Sequence, residues 1–357
     1  MAVSAIKRLL KQAAQRVQRE RCHAQHAKMA RRLLVNLEQY NGALGSSIKR
    51  QARDYAHEML GSAKYAPWLQ VYSAVHGAFV EGWIPGDYYQ LVVLPCKNGQ
   101  VGQATNTKTL TKRLLNSTAL PDIAYLIDGI GYAADYSVVR APVLIDLLFA
   151  ADERVFFKPD RSFQGQGIRI LERSDISPET LARFPDGAFQ RPVIQHGIFD
   201  ALTPNATATL RLTTAKLPDG IVELRAADIR LGRARDRYVK AISEIRVPVE
   251  LTTGALWSHG FMPDWRQVES HPDTGASFSN IRIPGFHQAT AMCSRLHQGF
   301  PHLGCIGWDI AIDREESAKI MEWNARHNSI VFSEATTGPS FVGLNWETLW
   351  QRHTGSV

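Results

Sequence analysis

The stretch GCIGWDIAIDREESAKIMEWN, residues 304–324, limits the fold more tightly than any other part of the chain. Two apolar runs flank a charged turn near Arg314–Ser317, the pattern of an antiparallel hairpin. A hairpin in which Asp313 meets Ala318 sets Asp309 opposite Glu322, and Glu322 and Asn324, two apart, share a face. Two carboxylates directly opposed repel unless a cation or proton lies between them. Either the hairpin is an edge whose acids face solvent, or its three oxygen-bearing side chains serve a site; a sparse oxygen set of this kind suits magnesium.

The remainder divides by period. Residues 2–40 read as helix, with Ile6, Leu9, Leu10, Ala13 and Val17, then Met29, Leu33, Leu34 and Leu37, at helical spacing. More helix is expected over 48–90, a strand at 88–95 (YYQLVVLP), and a helix in TKTLTKRLLNS with its cap near 105–107. A short helix follows Pro142. From residue 154 the pattern becomes β: RVFFKP, GIRILE, RPVIQHGIF, ATLRLTTAKL and IVELRAADIRLG, with LPDG as turn chemistry. Residues 247–285 are irregular, and a helix is expected over 286–299.

Charge is unevenly placed. Residues 1–60 hold twelve Lys or Arg against four Asp or Glu, a surplus of eight, so the rest of this +7 chain sums to −1. The basic character belongs to the first helix, which makes nucleic acid an unexpected partner for the remainder. A basic amphipathic helix suits an anionic membrane surface, packing on its own domain or a partner, or a cleaved targeting segment, since the first nineteen residues lack acids. His23 and His26 lack the carboxylate or cysteine company of a metal site. No apolar run reaches the ~20 residues of a membrane span, and Cys22, Cys96, Cys293 and Cys305 are scattered singly, as expected of a cytoplasmic chain with free thiols.

A second hairpin carries complementary chemistry. In VFFKPDRSFQGQGI a glycine-rich loop lets backbone N–H groups close over phosphates, and Lys158 enters that loop on the preceding strand. This loop, the TLRLTTA strand, HPDTGASF with the following IP, and FPHLGCIGWDIAI leading to IMEWN together resemble the sugar-transfer-associated ATP-grasp family, related to α-L-glutamate ligase-like enzymes, over roughly residues 105–330. The resemblance implies an α+β fold: two subdomains clasping ATP, preceded by a helical N-terminal region. The expected boundaries are 1–87 (helical, basic), 88–330 (ATP-grasp, divided at 88–150, 151–200 and 201–330) and 331–357 (tail).

By the same resemblance, Lys108 (with Lys112 as fallback) and Lys158 contact phosphates, and Gly165 and Gly167 form the loop over the triphosphate. Gln195 and His196 seat adenine, Arg211 and Lys158 steady the transferring phosphoryl group, and Asp309, Glu322 and Asn324 hold Mg2+. The implied activity is ATP-dependent carboxylate–amine ligation through an acyl phosphate, with an amino acid added to a sugar or cell-surface polymer precursor. The alternatives are phosphoryl transfer to a hydroxyl, with His196, His259 or His271 as candidate bases, and a nucleotide-binding partner of glycosyltransferase machinery. The partners implied are small carboxylates and amines, with glycan-assembly enzymes or the inner membrane face reached through the first helix. Two departures from the family stand out: RDRYVKAISEIRVPVE lacks the glycines expected there, and Arg326 and His327 follow Asn324 in a polar loop.

Overall fold

The computed structural model describes residues 2–162 and 166–351. They form two compact units, one of Met1–Lys97, Asp264–Arg266 and Ser329–Val357, the other of Asn98–Pro263 and Gln267–Asn328. No helix among the described residues is long and apolar enough to cross a membrane.

The first unit is helical, built on Ala2–Asn41, Ser46–Glu58, Ala66–His76 and Val331–Thr337. Its core is aromatic: Trp68, Tyr72, Trp83, Tyr88, Tyr89 and Trp346 are all almost fully buried. The strand expected at 88–95 is instead helical, a π turn over Tyr89–Val93 running into Leu94–Lys97. A short apolar run buried on several sides carries no period that separates strand from helix, and here the aromatic neighbours decide. The Tyr88 hydroxyl meets the carbonyls of Trp346 and Glu347 at 3.0 and 2.9 Å. Residues 331–349, expected as a tail, are a buried part of this unit. Glu334 in particular is fully buried and accepts from Ile84 N at 2.7 Å and Ser340 N at 2.8 Å.

The second unit contains two antiparallel sheets. The strands are β1 (Asp122–Ile127), β2 (Ile130–Ala133), β3 (Val138–Val139), β4 (Arg154–Pro159), β5 (Arg169–Glu172) and β6 (Gly187–Gln190), in the order β3-β2-β1-β6-β4-β5. The second sheet has β7 (Thr209–Lys216), β8 (Val222–Leu231), β9 (Ile245–Pro248), β10 (Gly260–Phe261), β11 (Gln267–Val268), β12 (Cys305–Ile312) and β13 (Ala318–Asn324), in the order β11-β10-β9-β8-β7-β12-β13. The run RPVIQHGIF, expected as strand, leaves the ladder after Gln190 and ends in a 3-10 turn at Gly197–Phe199. Pro192 has no N–H to give a ladder.

Each sheet buries one face by simple alternation. In the first, Val155, Phe157 and Phe189 pack with Leu144, Ile145 and Leu148 of helix Ala141–Leu148. In the second, Leu210, Leu212, Ile306, Trp308, Ile310 and Trp323 pack with Phe286, Ala289 and Cys293 of helix Phe286–Gln298. The opposite faces carry Lys158 on one sheet and Arg211, Asp309 and Glu322 on the other.

The β12–β13 hairpin pairs Asp309 with Glu322 and Gly307 with Asn324, as expected. It does so through a break in register. Asp309 faces Glu322 but Ile310 faces Ile320, so Met321 is an extra residue, a β-bulge. The bulge resets the parity of β13: Ile320 and Trp323 both reach the core, while Glu322 and Asn324 take the other side.

Candidate functional site

Four elements of the second unit converge on the bulge. Lys158, at the end of β4 and 8 % exposed, donates from Nζ to the carbonyl of Met321 at 3.3 Å. The irregularity that re-aims Glu322 thus also presents the carbonyl that receives Lys158. Burial pushes the Lys158 ammonium below its ordinary range, Lys108 adds to the effect, and Glu322, Asp122 and Asp309 oppose it without restoring the usual value.

Lys108 opens helix Lys108–Leu115; Thr107 holds the N-cap position, within the expected 105–107, but its side chain makes no capping bond. Its Nζ donates to the carbonyl and hydroxyl of Ser162, both at 3.1 Å, and lies 3.6 Å from Glu322 Oε1. Asp160 fixes this helix start by accepting from Thr109 N at 3.0 Å and Thr109 Oγ1 at 2.7 Å. Hydrogen bonds through Asp160 and Ser162 therefore tie the entry to the glycine loop to the first lysine. Gly167, at φ +75, takes a conformation that strains other residues; Gly165 lies outside the described residues.

Arg211 on β7 stands directly across from Asp309. Its Nε and Nη2 donate to the two carboxylate oxygens at 2.7 and 3.0 Å, and Nη1 donates to Asn328 Oδ1 at 3.0 Å. Burial alone would raise the Asp309 carboxyl, but Arg211 and Arg230 outweigh it and hold the group below the usual range. The ladder of charge continues outward: Arg230 Nη1 is 3.9 Å from Asp309, and Arg246 grips Asp228 through two bonds of 2.8 and 3.1 Å. Glu322 remains about a third exposed, and Asn324 is half-buried beside it. Among the described residues no three His, Cys, Asp or Glu gather as a metal-binding group. The oxygen set here is two acids and an amide.

Gln195 and His196 are not brought into this cluster. They tie the link between the sheets. His196 N donates to Ile312 O at 2.9 Å, and Gln195 bonds Asp200, the Thr203 carbonyl and Ala208 N through its side chain. His271 has both ring nitrogens occupied, Nε2 against Gly232 O at 3.2 Å and Nδ1 accepting from Asp273 N at 3.3 Å.

Three participants escape the sequence reading. Gln190, at the end of β6, donates to Asp122 Oδ1 at 2.7 Å, while its buried Oε1 finds no partner. An orphaned buried acceptor costs about 1–3 kcal/mol. Arg230, whose buried Nε makes no hydrogen bond but lies 3.6 Å from Asp228 Oδ2, is the second. Both lie opposite core residues in regular strands, so alternation was the available signal. Asn328 is the third; it is 3 % exposed in a loop that offers no periodicity.

Asn328 also explains Gly307. A Cβ on residue 307 would lie 2.1 Å from Asn328 Oδ1 and 2.9 Å from Arg211 Nη1. Gly307→Ala should therefore lower stability by about 1–3 kcal/mol, the usual range for overpacking. Thermal melts of Gly307→Ala alone and with Asn328→Ala check this: the double variant should recover part of the loss, because the clash is with the amide.

Residues 181–347 match the model of the family described as sugar-transfer associated ATP-grasp. No curated protein matches the sequence. Among solved structures, a biotin carboxylase β-γ-ATP complex from Campylobacter jejuni is 12 % identical, with TM-score 0.45, covering 90 % of this chain and 68 % of its own. An N5-carboxyaminoimidazole synthetase from Staphylococcus aureus complexed with ADP is 12 % identical, with TM-score 0.44 and coverages of 72 % and 57 %. The biotin carboxylase domain of a Hydrogenobacter thermophilus 2-oxoglutarate carboxylase is 13 % identical, with TM-score 0.42 and coverages of 70 % and 46 %. The chain thus spans less than two thirds of the length of the last two.

Proposed function

We propose that this chain, which matches the sugar-transfer associated ATP-grasp family over residues 181–347, is an ATP-dependent ligase joining a carboxylate to an amine. The observation that carries the reading is that Lys108 and Arg211 lie against the opposed carboxylates Glu322 and Asp309, with buried Lys158 on the Met321 carbonyl beside them. A core hairpin has no use for that arrangement, whereas a bound polyphosphate does.

The residues fit ATP and Mg2+ on their own chemistry. Burial lowers the Lys158 ammonium below its ordinary range, and an anionic phosphate beside it would favour the charged form. The unpaired Gln190 Oε1 offers an acceptor on the same sheet face for a donor on a bound base. Glu322, Asn324 and Asp309 would hold the metal. Asp309 already gives both oxygens to Arg211, but a carboxylate has about four lone-pair sites and can serve both. Bound there, Mg2+ would neutralise charge on the terminal phosphates.

In this reading the substrate carboxylate attacks the terminal phosphorus of ATP, forming an acyl phosphate and releasing ADP. An amine then attacks the acyl carbon, forms the C–N bond and expels phosphate, losing a proton. Lys158 and Arg211 act by position and charge, holding the transferring group and offsetting its negative charge. Neither step needs a side-chain nucleophile. A histidine base, which phosphoryl transfer to a hydroxyl would call for, is not offered by His271, whose ring nitrogens are both engaged. The addition of an amino acid to a sugar or surface-polymer precursor is the finer proposal, resting on the family's name alone.

Nucleotide binding is tested by melting. Mg-ATP at about a hundred times Kd should stabilise the Asn98–Asn328 unit by about 2.7 kcal/mol. EDTA should shrink that shift. A melt unmoved by Mg-ATP at millimolar concentration contradicts the assignment.

A further inference from the structure

We propose that the helical unit carries a second binding site, for a phosphate- or diphosphate-bearing group, between the first helix and the turn at residues 62–65. The inference goes beyond the ligase reading and stands independently of it. It gives a use to the basic first helix, which the nucleotide site leaves unexplained.

Arg16, Arg19 and His23 fall at i, i+3 and i+7 of helix Ala2–Asn41, so they form one stripe along it. With Ser62, Lys64 and Tyr65 they line a cavity of about 410 Å³, within the range of about 300–1,000 Å³ common for small-molecule sites. Glu20 is the one acid in the lining, and it is matched by Lys64, whose Nζ lies 3.1 Å from Oε1. Arg16 and Arg19 form no ion pair among the described residues. The lining therefore keeps two guanidiniums outside any close ion pair, groups whose planar fork of donors matches a phosphate edge.

The floor of the cavity is more than a solvated charged surface. His23 Nδ1 sits 2.8 Å from Asp87 Oδ2 without the alignment of a hydrogen bond, and Asp87 is 1 % exposed, so a buried carboxylate lies beside the imidazole. Tyr65 stands edge-on to His23 at 5.5 Å between ring centres. The other histidine of this helix, His26, is spent on structure, accepting from Trp68 Nε1 at 3.1 Å and meeting Gln90 at 2.7 Å. A wall of donors with one matched acid selects an anion. Two guanidiniums one turn apart supply more charge than a lone carboxylate uses, which favours phosphate.

The test uses the full chain, with inorganic pyrophosphate in calorimetry and, separately, vesicles of phosphatidylcholine with and without phosphatidylglycerol. Three proteins are compared: the natural chain, Arg16→Gln/Arg19→Gln, and Arg31→Gln/Arg32→Gln, which removes equal charge from an exposed part of the same helix. The site predicts that the first pair weakens binding by about tenfold or more, while the second pair and the Mg-ATP melting shift stay unchanged. Loss seen with pyrophosphate identifies a soluble phosphate ligand; loss seen only with anionic vesicles identifies a lipid head group. Equal loss in both double variants, or none in the first, overturns the proposal.

Discussion

Arg211→Ala should be the most destabilising single change in the second unit, costing about 3–5 kcal/mol, because it strands a buried carboxylate. Asp309 is 8 % exposed and receives two of its hydrogen bonds from this one guanidinium. Arg230, 3.9 Å away, is too distant to replace them. Asn328 also loses its donor, so the loop after β13 should loosen. Urea unfolding of the variant reads the loss directly. The cause is separable from lost packing: Arg211→Met with Asp309→Leu should be milder than Arg211→Ala, since Asp309 is removed rather than stranded, and Arg230 keeps Asp228. If the double change is the worse of the two, the ion pair is not what holds these strands.

Glu322→Gln should do the opposite, leaving the fold nearly intact and removing activity. The side chain is about a third exposed, and its ion pair with Lys108 spans 3.6 Å, so it contributes little to stability. In the proposed site its charge holds the metal and balances Lys108 and Lys158. Removing one such group should cost about 10²–10³ in ATP turnover. ADP release measured beside a melting curve distinguishes the outcomes. A variant that melts normally and turns over at the natural rate would remove Glu322 from the site.

How much of this was legible varies by residue, and the reasons are physical. Alternation in GCIGWDIAI and AKIMEWN was enough to place Asp309 opposite Glu322. The bulge was not read, although its trace is in the sequence: Ile320 and Trp323 are three apart and both apolar, and a regular strand cannot put both in the core. Arg211 was assigned by resemblance, yet its parity between Leu210 and Leu212 places it on the same face. Gln190 and Arg230 satisfied the same rule and were passed over because no motif drew attention to them. Residues 88–95 and 331–349 failed for a different reason. Short apolar runs enclosed by aromatic side chains take their conformation from neighbours distant in sequence, and no local pattern records those neighbours. Asn328 lies beyond local reasoning altogether; only the space above Gly307 reveals it.

The central claim is that a substrate carboxylate becomes an acyl phosphate, and a hydroxylamine trap tests it most directly. The full chain is incubated with Mg-ATP, hydroxylamine and a panel of amino acids and sugar acids, with Glu322→Gln as the blank. Both ADP and hydroxamate are measured. The account predicts hydroxamate in step with ADP for at least one carboxylate, and neither product above background in the variant. ADP accompanied by a stable phosphorylated hydroxyl compound and no hydroxamate would contradict it and establish a phosphotransferase.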